Sequence, residues 1–121
     1  MIEKVNLADK FAAISDYYSP RLAGEVNDFH VKLAKLKGDF VWHHHENEDE
    51  LFLVLKGQLT IKLREQDDIV LNPGEFVVVP KGVEHNPVCD DEVHCLMFEP
   101  ASTLNTGNIN NERTVRDLEK I

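Results

Sequence analysis

Apolar residues recur at Leu7, Phe11 and Ile14, an i, i+4, i+7 spacing that predicts a short helix with Asn6 as its N-cap. Pro20 and Gly24 then break that pattern, and from Phe29 to Glu99 the chain reads as short strands separated by turn formers. The predicted strands cover 29–36, 41–45, 50–56, 58–63, 68–71, 76–79, 85–89 and 93–99. The turns between them include Lys37-Gly38-Asp39, Lys56-Gly57, Asn72-Pro73-Gly74, Pro80-Lys81-Gly82 and Asp90-Asp91-Glu92. Many short strands with frequent turns predict an all-β sandwich or barrel.

Alternation sorts the faces of these strands. Leu59, Ile61 and Leu63 oppose Thr60, Lys62 and Arg64, which gives one buried and one wetted face. The segment 50–55 differs: Phe52 and Val54 lie on one face, while Leu51, Leu53 and Leu55 make the other equally apolar. Both faces need cover. A homodimer is the expected source of the second cover, and the helix bearing Leu7, Phe11 and Ile14 is the alternative. Beyond Pro100 the residues are polar turn formers, and 112–121 reads as a short frayed helix anchored by Val115 and Leu118. One domain is expected over 1–121: helical cover at 6–18, a barrel at about 29–99 and a loop or tail at 100–121.

Charge narrows the partners. Acidic side chains outnumber basic ones by 22 to 13, for a net charge of -9, which repels phosphate backbones and anionic headgroups. Nucleic acid and membrane are therefore not expected partners, and a small molecule is. The N-terminus lacks the apolar core of a secretion signal and no apolar run is long enough to span a bilayer, so the expectation is a cytoplasmic protein. In a reducing compartment Cys89 and Cys95 are expected as free thiols, although a hairpin at 90–92 would bring them together.

The candidate chemistry begins at Trp42-His43-His44-His45-Glu46-Asn47-Glu48-Asp49-Glu50. In an extended segment His43 and His45 share a face and His44 points away. The polar stretch 46–49 offers a bend that returns Glu50 toward the two imidazoles. His85, after the Pro80-Lys81-Gly82 turn, is the best further ligand. Three imidazoles and a carboxylate suit one divalent ion per subunit, iron, manganese, nickel or zinc, with coordination positions left open for a ligand. His30, His44 and His94 read as structural, and Phe40 and Trp42 as packing on the face away from the ligands. Alternation places Phe52, Val54, Phe76, Val78 and Met97 toward a substrate pocket. Glu99, at a strand end, is a candidate catalytic base near the mouth or a salt-bridge partner on its rim.

These residues resemble the two motifs of the small single-domain cupins, Gly-x5-His-x-His-x(3 or 4)-Glu-x6-Gly and Gly-x5-Pro-x-Gly-x2-His-x3-Asn. Gly38, His43, His45, Glu50 and Gly57 take the places of the first, and Gly74, Pro80, Gly82 and His85 those of the second. Gly38 stands four rather than five residues before His43, and Cys89 occupies the closing Asn position; neither change touches a ligand. The resemblance implies a double-stranded β-helix, or jelly roll, with the metal inside the barrel. Similar members are often labelled mannose-6-phosphate-isomerase-like, a label that follows fold and motif, and fold alone does not fix a reaction. The expectation is a metal-dependent enzyme of isomerase or dioxygenase type acting on a small polar oxygenated molecule. The alternatives are a non-catalytic module that binds or stores a small ligand with the metal's help, and a degenerate barrel serving as a dimer scaffold.

Overall fold

The computed structural model describes residues 2–121. Its helix α1 spans Leu7–Ala12, and the Asn6 side chain caps it by accepting the Asp9 amide at 3.0 Å, as the sequence predicts. The strands are β1 (Arg21–Val26), β2 (Phe29–Asp39), β3 (Glu50–Lys56), β4 (Leu59–Leu63), β5 (Ile69–Leu71), β6 (Phe76–Val79), β7 (His85–Pro100) and β8 (Glu119–Lys120). They form one sheet in the order β5-β4-β7-β2-β1-β8, with β3 also paired to β7 and β6 paired to β3. The sheet curls because β7 runs the length of β2 on one side while its other side pairs first with β4 and then with β3. The all-β barrel that the strand pattern predicts forms, as the jelly roll that the resemblance implies.

Several elements differ from their sequence expectation. The 85–89 and 93–99 segments are one strand, because β2 continues alongside both; the register steps from Leu36↔Val93 to Gly38↔Cys89, so Asp90, Asp91 and Glu92 bulge outward. No hairpin brings Cys89 and Cys95 together, and both are buried free thiols. The 41–45 segment is not a ladder strand: within it only His43 pairs, as an isolated bridge to His85. β1 was not expected, since Pro20 and Gly24 mark a break; a bulge between Leu22 and Gly24 accommodates the glycine. Residues 112–121 form turns and the two-residue β8 in place of a helix. There Asn105 Oδ1 accepts the Val115 amide and Thr114 Oγ1 the Asn111 amide, so side chains meet backbone demands that a helix would otherwise satisfy.

The barrel interior holds Leu36, Phe52, Val54, Leu59, Ile61, Val93 and Cys95, with Tyr18 closing one end. Outside the sheet, Phe11 and Ile14 cover Leu33, Leu55 and Leu96. That cover is partial. Phe76 and Val78 are 63% and 47% exposed, a correction to their expected place in the pocket. The register explains it: inward-facing Glu50 and Phe52 pair with Val79 and Val77, so the alternate residues of β6 face out. Val54 is buried, but in the core and not at the cavity wall. No helix among the described residues is long and apolar enough to cross a membrane.

Candidate metal centre

His43 and His45 lie on the loop between β2 and β3, Glu50 opens β3 and His85 opens β7. All four are buried, and each offers a ligand atom within 4.8 Å of the others. The expected set is thus brought together. His43 donates its Nδ1 proton to the Val41 carbonyl and His85 its Nδ1 proton to the Val83 carbonyl, both at 2.9 Å. These bonds fix the tautomers and leave the Nε2 lone pairs free toward the centre. His45 Nε2 lies 3.2 Å and His85 Nε2 3.4 Å from Glu50 Oε1, and His85 Nε2 is buried without a hydrogen-bond partner. A buried carboxylate facing three imidazoles, one with an unpartnered nitrogen, is a donor set that fits a divalent cation such as iron, manganese, nickel or zinc.

The electrostatics point the same way. Burial opposes ionisation of Glu50, but the hydrogen bond from His45 and the His85 imidazole beside it outweigh burial and hold the carboxyl below the usual carboxylate range. Burial, with Glu50 alongside, raises Glu99 well above it. His43 is lowered from 6.5 to about 4, by burial first and then by His85. The unfolded chain therefore binds more protons than the folded one between those values, and stability falls as pH falls through that window. Without metal the chain is expected to lose on the order of 3 kcal/mol between pH 7 and pH 4 through His43. Urea denaturation across that range checks this, and His43→Gln should flatten that part of the profile.

A cavity of about 40 Å³, room for roughly three waters, opens beside His43 and Glu50. Phe52 and Met97 line it as expected, joined by Tyr18, Leu36, Phe40, Pro87, Glu99 and Asn105. Phe40 is a correction: it faces the ligands, its ring edge-on to His43 at 5.5 Å and stacked on Tyr18 at 4.8 Å. Tyr18 went unnoticed in the sequence, where nothing marks it. Its hydroxyl donates to the Gly38 carbonyl at 2.5 Å, and burial keeps that hydroxyl protonated.

Glu99 is not at the rim. It is 2% exposed, lines the cavity and lies 3.4 Å from the buried ammonium of Lys32, which also donates to the Thr103 carbonyl at 3.1 Å. Its Oε2 has no partner. Sequence reasoning missed Lys32; its place among the inward residues of β2, between His30 and Ala34, was the available signal. His44 points outward to Glu46 at 3.0 Å, His30 lies 3.4 Å from Glu25, and His94 stacks on Phe11 at 4.6 Å. Trp42 is half-buried beneath the Arg64 guanidinium at 3.8 Å.

A family model described as Cupin domain matches residues 29–99. A crystal structure of a cupin-2 domain containing protein from Shewanella frigidimarina NCIMB 400 is 45% identical, covers 79% of this chain and 93% of that one, and superposes with a TM-score of 0.77. The protein YdbB of Bacillus subtilis (strain 168) is 44% identical over 61 residues, 50% of this chain and 54% of YdbB. An acireductone dioxygenase of Bacillus licheniformis is 29% identical over 93 residues, 69% of this chain and 52% of the dioxygenase. The chain thus spans about half the length of these two relatives.

Proposed function

This chain belongs to the cupin domain family, and from that premise we propose that it is a metal-dependent enzyme, of dioxygenase or isomerase type, acting on a small oxygenated organic molecule. One observation carries the reading: four buried ligand atoms within 4.8 Å of one another adjoin a cavity whose wall is mainly apolar. His43, His45, Glu50 and His85 would hold one divalent ion per subunit. When bound, such an ion supplies Lewis acidity and, if redox-active, a route to dioxygen. The likeness to an acireductone dioxygenase supports the oxygenase branch.

The chain's own residues set the rest. Glu99, on the cavity wall with one oxygen unpartnered, is placed to hold or accept a proton from a bound molecule, and Lys32 positions it from behind. Phe40, Phe52 and Met97 exclude water. The cavity's small volume restricts the substrate to a few heavy atoms at the metal, such as a vicinal hydroxy-ketone, diketone or enediol.

The test is turnover of a panel of diketones, enediols and small sugars by chain loaded with iron, manganese, nickel or zinc, with and without oxygen. Metal-dependent turnover of one class is the expected result. Saturable thermal stabilisation by a panel member without turnover would instead favour the non-catalytic binding module.

We also propose that the working form is a homodimer built on the outer sheet face. Phe76 and Val78 on edge strand β6 adjoin Leu53 and Leu51 of β3, which adjoin Leu96 and Phe98 of β7, so the apolar surface is continuous across three strands. A second copy of the same face matches it without opposing charges. The double change Phe76→Glu/Val78→Glu is expected to convert dimer to monomer by light scattering with metal content unchanged; a monomeric wild-type chain would contradict it.

A further inference from the structure

The ligand segment between β2 and β3 lacks the support of a sheet. His43 exchanges both backbone bonds with His85, at 3.0 and 2.9 Å, and the His45 carbonyl accepts the Gly82 amide at 2.8 Å. In an extended segment the backbone groups of alternate residues face opposite edges, so those of His44 point away from that support. They meet residue 108. The His44 amide donates to Asn108 Oδ1 at 2.9 Å and the His44 carbonyl accepts the Asn108 amide at 3.1 Å. Next to it, Gly107 sits at φ +56°, and a β-carbon there would collide with the His44 carbonyl and come within 3.0 Å of the His43 ring.

Asn108 and Gly107 belong to a laced segment following β7. Thr106, wholly buried, bonds the Ile109 carbonyl at 2.6 Å and the Thr114 hydroxyl at 2.7 Å, and Asn105 Nδ2 donates to the Arg113 carbonyl at 2.8 Å. Its base is tied down as well, by Lys32 to Thr103 and by Ser102 Oγ, which donates to Glu48 at 2.7 Å. The segment therefore has its own shape and does not merely drape over the barrel.

We propose that this strap, residues 101–115, is a working part of the metal centre: Asn108 and Gly107 clamp the edge of the ligand segment that the barrel leaves free, and so position His43 and His45. The strap lies beyond the 29–99 segment that carries the family match. Asn108 is a positioning residue, with no contact to the ligand atoms themselves. The inference rests on reading His43, His45, Glu50 and His85 as metal ligands.

The test uses the full chain and Co(II), whose visible spectrum reports coordination. Asn108→Ala should weaken Co(II) binding by about tenfold or more, the range seen when supports of metal ligands are removed, and should alter the spectrum. Asn108→Asp keeps the acceptor for the His44 amide and should restore both. Gly107→Ala should weaken binding by displacing the His44 carbonyl. In metal-free protein Asn108→Ala should speed hydrogen exchange at the His44 amide and leave β2 and β7 unchanged. If wild type binds Co(II) and Asn108→Ala matches it in affinity and spectrum, or if Asn108→Asp fails to rescue, the strap is only a cover and the metal reading stands. A wild-type chain that binds no Co(II) removes the metal reading, and this inference with it.

Discussion

Replacing Glu50 with Gln is expected to abolish the stabilisation that a divalent ion gives this chain while leaving the metal-free fold intact. Gln has the shape of Glu and Glu50 is buried, so packing is preserved and the charge is removed. A ligand present at a hundredfold its dissociation constant stabilises by about 2.7 kcal/mol, and for a domain of this size that is roughly 10 °C in thermal midpoint. The wild type should show that shift with manganese, nickel, zinc or, without oxygen, iron(II), and Glu50→Gln should show almost none. The metal-free variant should still fold but melt below wild type, because a carboxyl held below its usual range contributes stability when ionised, and Gln forfeits that contribution. A variant retaining the full shift would show that the carboxylate is not a ligand.

The second large effect belongs to Lys32. Lys32→Met keeps the aliphatic stem but removes the ammonium that faces Glu99 and holds the Thr103 carbonyl. Breaking one partner of a buried ion pair costs about 3–5 kcal/mol, and urea denaturation should show a loss of that order. Glu99 already binds its proton above the ordinary 4.5 when folded. Above that pH the folded state therefore holds more protons than the unfolded state, and stability declines as pH rises. Without Lys32 the decline should steepen, so the variant loses more at pH 8 than at pH 5. Adding Glu99→Gln removes the titrating group and should recover most of the loss. A loss independent of pH, and not recovered by the second change, would mean that Lys32 matters only as bulk.

How much of this was legible beforehand depended on whether local rules decide a residue's place. Period-two alternation at His43 and His45, the polar bend at 46–49 before Glu50 and the Pro80-Lys81-Gly82 turn before His85 are local signals, and together they point to the four residues that meet. Alternation failed at Phe76 and Val78, because a four-residue strand of consecutive apolar residues carries no parity of its own; its register with β3 decides. Tyr18 and Asn108 escaped for a different reason. They reach the site from elements distant in sequence, and their local surroundings contain nothing that points to a cavity.

The outward bulge at Asp90–Glu92 has a consequence for how this chain can change length. Cys89 and Val93 both face inward across it, so His85 at one end of β7 and Glu99 at the other share the interior only because the excursion preserves phase. Insertion or loss of one residue there would turn Val93, Cys95, Met97 and Glu99 to the solvent and bring Leu96 and Phe98 inside. A change of two would leave the order intact. The most exposed acidic stretch of β7 is thus a place where the count of residues matters more than their identity, and where related chains should differ by even numbers.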